Sequence, residues 1–205
     1  MNGPVIDYYL SPVSPWNYLA SVRFRKLAEK HNAKVNVFIV DLGQVFAQTG
    51  GIALPKRSAQ RQAYRLQELS RFSRYLDIKL NPQPAHFPPS SGLCNLVVVA
   101  GRQAGGAELA MAVSECLFAQ LWANEVDIGD ADTVISALDK AGLEGGRLVQ
   151  DAQKNNAEYA QMIDADSKQA IAANVFGGPS FVVDGEVFWG QDRLELLDWY
   201  LSQRS

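Results

Sequence analysis

From Val5 to Leu10 the chain reads VIDYYL, a β-branched and aromatic run that stops at Ser11-Pro12, which predicts a first strand entering a turn. The period then changes. From Pro15 onward Trp16, Leu19, Ala20, Val22, Phe24 and Leu27 recur at near-helical spacing, and Arg25, Lys26 and Lys30 gather toward the end, where cations suit the negative pole of a helix. Lys34 to Leu42 (KVNVFIVDL) first alternates and then runs apolar, as a second strand does. A strand, a crossover helix and a strand predict a parallel pair. Near the other end, Ser180–Val183 and Glu186–Trp189 flank Asp184-Gly185, a strong hairpin signal, and an amphipathic helix is expected from Asp192 to Tyr200.

Between these ends the pattern is helical: Arg57 to Tyr75, Leu93 to Trp122, Asp132 to Ala141, and Arg147 to Ala173 with breaks. The Pro/Gly-rich stretches Thr49–Pro55 and Asn81–Gly92 mark loops. The expected class is therefore α/β, with β-α-β and β-β-α halves interrupted by an all-helical insertion domain. Residues 1–45 and 174–205 are assigned to one discontinuous domain, and residues 46–173 to the insertion. A cleft is expected between the two, and chemistry where the first strand hands over to its helix.

Composition narrows the function classes. Of 205 residues 47% are hydrophobic and 20% charged, enough apolar material for one large core or two small ones. The net charge of −3 and the lack of any continuous basic stripe give no footprint for nucleic acid. No basic-then-apolar leader opens the chain, and nowhere do 18 apolar residues run without charge, so the expectation is a soluble cytoplasmic protein without a membrane partner. Cys94 and Cys116 lie in apolar stretches at a spacing that fits no zinc or redox motif and are expected as buried structural thiols. Two histidines, His31 and His86, make a multi-histidine metal site improbable, and no metal is expected.

Three short motifs remain. Pro15 fits the first helical position, which makes Ser14 the natural cap. Ser14 is then either a cap and nothing more, or a cap whose neighbouring free N–H groups and helix dipole hold an anion such as a thiolate carried in on a ligand. Gly178-Pro179 precedes the third strand and reads as a strand boundary. If that bond is cis, the Gly178 backbone groups would face outward, where an extended peptide could add to the edge. Gln191-Asp192 opens the last helix, with Asp192 as a cap or both residues as receivers of a ligand's α-amino group. Lys56, Arg57 and Arg61 start the first inserted helix, where a cation opposes the dipole unless an anion meets it; solvated surface charge is the competing reading.

Ser14-Pro15-Trp16-Asn17-Tyr18 after a strand, Phe176-Gly177-Gly178-Pro179 before one, and Trp189-Gly190-Gln191-Asp192-Arg193 before the last helix, in that order, resemble the 2-hydroxychromene-2-carboxylate isomerase family. That family belongs with kappa-class glutathione transferases and the DsbA-like thioredoxin fold, and the resemblance runs from about Ile6 to Leu197. It implies a thioredoxin-like domain carrying the helical insertion. It also implies glutathione as cofactor, a small aromatic or electrophilic substrate, and a homodimer. The family's active-site serine falls on Ser14, its backbone contact on Gly178 before Pro179, its γ-glutamyl contacts on Gln191 and Asp192, and a basic contact to the ligand carboxylate on Arg61. Trp16 and Trp189 are candidates for the substrate pocket, although either suits a core equally well.

Two departures stand out. Kappa-class enzymes use an asparagine in the loop after the second strand, and Thr49-Gly50-Gly51-Ile52-Ala53 has none; Gln191 replaces a residue that is often Ser or Asn. Asn17 stands where a redox motif has its second cysteine, which excludes a dithiol oxidase. The implied activity is reversible isomerisation of 2-hydroxychromene-2-carboxylate to trans-o-hydroxybenzylidenepyruvate in aromatic degradation, with a glutathione thiolate adding and leaving again. A kappa-class-like transferase or peroxidase acting on another electrophile, and a non-catalytic peptide-binding module, are the competing expectations.

Overall fold

The computed structural model describes residues 3–203. Met1, Asn2, Arg204 and Ser205, the outermost positions of the discontinuous domain assigned above, lie outside the described residues. Four strands form one mixed sheet in the order β2-β1-β3-β4. β1 (Val5–Leu10) runs parallel to β2 (Lys34–Ile39) and antiparallel to β3 (Ser180–Val183), which pairs antiparallel with β4 (Glu186–Trp189). The parallel pair is joined by α1 (Pro15–Lys30), and the hairpin by Asp184-Gly185, both at positive φ as the tightest hairpin turns require.

Alternation along β1 divides the core. Ile6, Tyr8 and Leu10 enter the larger apolar cluster with Phe24 and Leu27 of α1, while Tyr9 enters a smaller one with Val40, Val45, Ala170 and Val182. Both sheet faces are thus covered, which parallel pairing demands. Around the sheet stand α2 (Leu42–Thr49), α3 (Ala59–Leu76), α4 (Leu93–Trp122), α5 (Ala131–Lys140), α6 (Gly145–Lys154), α7 (Asn156–Ala172) and α8 (Leu194–Ser202).

α4 is the one helix, among the described residues, long and apolar enough by length and composition to cross a membrane. Here it is a core helix: Val97, Val98, Val99, Ala100 and Leu117 are fully buried. It is broken at Gly105-Gly106, whose φ/ψ are non-helical, Gly106 having φ +67°. Arg102, just before the break, donates to the Val37 carbonyl (2.9 Å) and to Asp166 Oδ2 (2.6 Å), and Asp166 also accepts from the Ile39 N–H (2.9 Å). One ion pair therefore ties α4 and α7 to the edge strand β2.

Two elements depart from expectation. The apolar run Lys34 to Leu42 reads as a strand to its end, but β2 stops at Ile39 and Asp41 caps a helix, accepting from the Gly43 N–H (2.7 Å) and the Gln44 N–H (3.4 Å). That helix, α2, ends at Gly50 (φ +78°). The last helix also begins later than expected: Gln191–Arg193 form a separate 3₁₀ turn, and Asp192 makes no side-chain cap.

Candidate functional site

The register of β1 with β3, Tyr9 opposite Ser180, carries the chain before β3 up to the end of β1. There Gly178 lies close to the Tyr9 carbonyl and to Asn17 Oδ1, and the Gly178-Pro179 bond is cis. Ser14 caps α1 with its hydroxyl oxygen 3.4 Å from the Asn17 N–H, and Pro15 follows at the first helical position. Because the hydroxyl oxygen serves here as acceptor, its hydrogen stays available to donate. The Trp16 N–H, at the second helical position, has no partner further back in the helix, so two donors and the positive end of a sixteen-residue helix converge at Ser14. Ser14 is 5% exposed, a small but open target.

Asn17 fixes this arrangement from beneath. It is fully buried; its Oδ1 accepts from the Ser11 N–H (3.3 Å) and its Nδ2 donates to the Tyr8 hydroxyl (3.3 Å). Burial pushes the Tyr8 hydroxyl well above its ordinary pKa, so this tyrosine is a neutral strut. A Cβ at Gly178 would lie 3.1 Å from the same Asn17 Oδ1, which places the Gly178 backbone directly against the start of α1. The Ser180 hydroxyl donates to the Gly177 carbonyl (2.7 Å) and closes the loop.

The third motif arrives through the main chain: the Gly190 N–H donates to the Pro179 carbonyl (2.9 Å). Gln191 is 2% exposed and accepts from Arg23 of α1 through both its carbonyl and its Oε1, whereas Asp192 is exposed beside Arg193 (3.3 Å). Ser14, Gly178, Pro179, Gln191 and Asp192 therefore form one connected group.

Arg61 lies on a neighbouring wall. A cleft of about 390 Å³ between α1 and α3 is lined by Trp16, Arg57, Gln60, Arg61, Tyr64, Arg65 and Glu68. Tyr18 holds α1 against this side by donating to the Lys79 carbonyl beyond α3 (2.9 Å). Three guanidinium groups crowd the cleft, and their effects show. Burial and then Arg57 lower the Arg65 pKa to about 10, while burial and then Arg61 hold Arg57 below its ordinary value. Arg65 lies over the rings of Phe87 (5.7 Å) and Trp122 (5.8 Å), and the indole N–H of Trp122 is fully enclosed without a hydrogen-bond partner. Glu68, the one carboxylate of the lining, pairs with Arg71 and not with these three, so the crowded, partly desolvated cations suit an anion.

Trp16 lines the cleft, edge-on to Phe72 (ring centres 6.2 Å apart). Trp189 does not; it is half-exposed and packs on Phe176 (4.7 Å) beside Gly177. Cys94 is fully buried with its thiol pushed up to about 12 by burial, and Cys116 is partly buried with its thiol also raised by burial, so neither is a ready nucleophile. Among the described residues no group of three or more His, Cys, Asp or Glu could hold a metal ion. A larger groove of about 470 Å³, lined by Gln103, Arg147, Lys154 and Tyr159 among others, includes no residue of the Ser14 group. Sequence reasoning missed Arg23 and Arg65. Both earn their places by contacts across the fold, and only the four-residue spacing of Arg57, Arg61 and Arg65 hinted at the second; Lys56 and Arg57, expected to start that helix, lie before it, at the end of the 3₁₀ turn Leu54–Lys56, and α3 begins at Ala59.

A protein family described as the DSBA-like thioredoxin domain matches residues 5–202. A 2-hydroxychromene-2-carboxylate isomerase of Sphingobium xenophagum is 26% identical over 199 residues, covering 96% of this chain and 97% of its own. Glutathione S-transferase kappa 1 of Caenorhabditis elegans is 23% identical over 214 residues, 98% of this chain and 92% of its own. Among solved structures, a 2-hydroxychromene-2-carboxylate isomerase superposes with a TM-score of 0.78 at 23% identity, covering 97% of this chain and 95% of that one.

Proposed function

The chain belongs to the DSBA-like thioredoxin domain family, and from that premise we propose that it is a glutathione-dependent isomerase of the 2-hydroxychromene-2-carboxylate type. The observation that carries this reading is Ser14, which caps α1 with its hydroxyl hydrogen unspent, its cap partner Asn17 lying against Gly178 and Trp16 two residues on lining a cation-rich cleft. Isomerase and glutathione transferase relatives over nearly the whole chain support it.

Glutathione, when bound at Ser14, Gly178, Gln191, Asp192 and Arg61, would supply a thiolate nucleophile for reversible addition to a conjugated substrate and would not be consumed. The protein's share is to hold and orient. Ser14 donates a hydrogen bond to the thiolate sulfur, and the free Trp16 N–H and the dipole of α1 favour the ionised form. The Gly178 backbone receives the extended tripeptide, Gln191 and Asp192 its γ-glutamyl end, and Arg61 its glycine carboxylate. Trp16 and the remaining cations of the cleft, Arg57 and Arg65, face the aromatic substrate. Asn17 holds no thiol, so the site runs no disulfide exchange of its own. The same reading takes the protein to be a cytoplasmic homodimer.

Titration with glutathione, following thiolate absorbance against pH, tests the proposal. Wild-type protein is expected to lower the pKa of the bound thiol by at least one unit, and Ser14→Ala to lose most of that shift while still binding. A wild type that leaves the thiol pKa unchanged refutes the mechanism. The kappa-class relative favours a second reading, conjugation of an electrophile. Product analysis separates them, since the isomerase leaves glutathione unconsumed.

A further inference from the structure

Arg23 lies two turns along α1 from Ser14 and makes no salt bridge among the described residues. Its Nη1 instead donates twice to one neutral residue 168 positions away: to the Gln191 carbonyl at 3.1 Å and to Gln191 Oε1 at 2.8 Å. A guanidinium only donates, so the amide atom facing it must be the oxygen. The planar amide then sends its nitrogen, with two N–H groups, the other way. No protein partner receives them among the described residues, yet Gln191 Nε2 is not one of the fully enclosed side-chain atoms left without a hydrogen bond, as Trp122 Nε1 is. What little of Gln191 stays open, 2%, is where these donors find a partner.

This changes which part of a ligand Gln191 suits. The second lone pair of Oε1 lies beside a cation that repels an ammonium group, so Gln191 is poorly placed to accept from an α-amino group. Its N–H groups fit a carboxylate. Asp192, the adjacent and exposed carboxylate, fits the ammonium. An α-amino acid head group carries both charges on one carbon.

We infer that Arg23 is a positioning residue that turns the Gln191 amide so that its N–H groups meet the α-carboxylate of a γ-glutamyl head group, while Asp192 meets the ammonium. The inference rests on glutathione being the ligand. It also accounts for glutamine at a position where Ser or Asn is common in the resembling family: the longer side chain reaches Arg23 with its oxygen and still presents its nitrogen.

The test is calorimetric titration with two ligands, glutathione and an analogue whose γ-glutamyl residue is replaced by γ-aminobutyryl, which lacks only the α-carboxylate. Wild-type protein is expected to bind glutathione about tenfold more tightly than the analogue, the ratio a hydrogen-bonded carboxylate supports. Arg23→Met should weaken glutathione about tenfold and change the analogue by no more than about twofold. Gln191→Met should do the same, and the double variant should be no weaker than Gln191→Met alone. Equal weakening of both ligands by Arg23→Met, or effects that multiply in the double variant, overturns the inference, since Arg23 would then act through the fold or through its own charge. Should Arg23→Met fail to fold, Gln191→Glu carries the test: a carboxylate facing Arg23 offers no N–H, so the preference for glutathione should vanish, and an unchanged preference overturns the inference. A wild type that binds glutathione without discriminating between the ligands also overturns it, whereas a wild type that binds neither removes the glutathione reading itself.

Discussion

Asn17 and the paired glycines show how much of the site is decided by single atoms. Asn17→Ala leaves the Ser11 N–H and the Tyr8 hydroxyl without their partner in a fully buried setting. A loss of about 3 kcal/mol is expected from two buried groups, read as a shifted urea midpoint at unchanged slope. Gly177 and Gly178 should respond differently to the same methyl group. A Cβ at Gly177 meets Trp189 Nε1 at 2.5 Å, the far end of a half-exposed side chain that can swing away. A Cβ at Gly178 meets Asn17 Oδ1 at 3.1 Å, an atom already pinned to Ser11. Gly178→Ala is therefore expected to weaken glutathione binding more than Gly177→Ala does, by calorimetry; the reverse order would show that Gly178 has room to spare. Ser14 and Gln191 stood out in the sequence because each marks the start of an element, and Gly178 and Asp192 because they adjoin such a start. Arg23 and the stacking of Arg65 were not, because a cation's partner across the fold leaves no local pattern.

Elements were legible where their period was long and their ends were marked. The hairpin at Asp184-Gly185 and helix α1, with Ser14 and Pro15 at its start, follow directly from local chemistry. α2 did not, because the apolar run through Val40 hid Asp41, whose carboxylate turns a strand into a helix within two residues. The far end of α1 carries a testable charge effect. Lys30 and His31 both meet Asp198 of α8, at 2.7 Å and 2.5 Å. The hydrogen bond from Lys30, then that from His31, holds the Asp198 carboxyl below its ordinary pKa. A carboxyl depressed in the folded state adds stability that is complete above its unfolded value of about 3.9 and is lost as pH falls through the folded value. Asp198→Asn should thus lower stability at neutral pH and match wild type at the acid end. Denaturant midpoints measured from neutral pH downward check this, and an equal deficit at every pH would contradict it.

At the scale of the molecule, the Arg102–Asp166 pair joins α4, α7 and β2, three elements that belong to different parts of the chain. Burial raises the Asp166 carboxyl, with Arg102 opposing that shift. Arg102→Met should cost about 3–5 kcal/mol at neutral pH by stranding a buried charge. The cost should shrink as pH falls, because a carboxyl raised in the folded state loses stability as pH climbs from its unfolded value through its folded one. Adding Asp166→Asn keeps an acceptor for the Ile39 N–H without the charge and should recover much of the loss. A double variant no better than Arg102→Met would show that the guanidinium packing, not the charge, is what matters.

The three arginines of the α1–α3 cleft also bear on how fast a ligand arrives. The protein as a whole carries −3, yet Arg57, Arg61 and Arg65 gather positive potential at one opening. An anion is repelled weakly at large and drawn in at short range, within the screening length of about 8 Å in physiological salt. Stopped-flow association of glutathione should slow as ionic strength rises, while dissociation changes little, and Arg57→Gln should flatten that dependence.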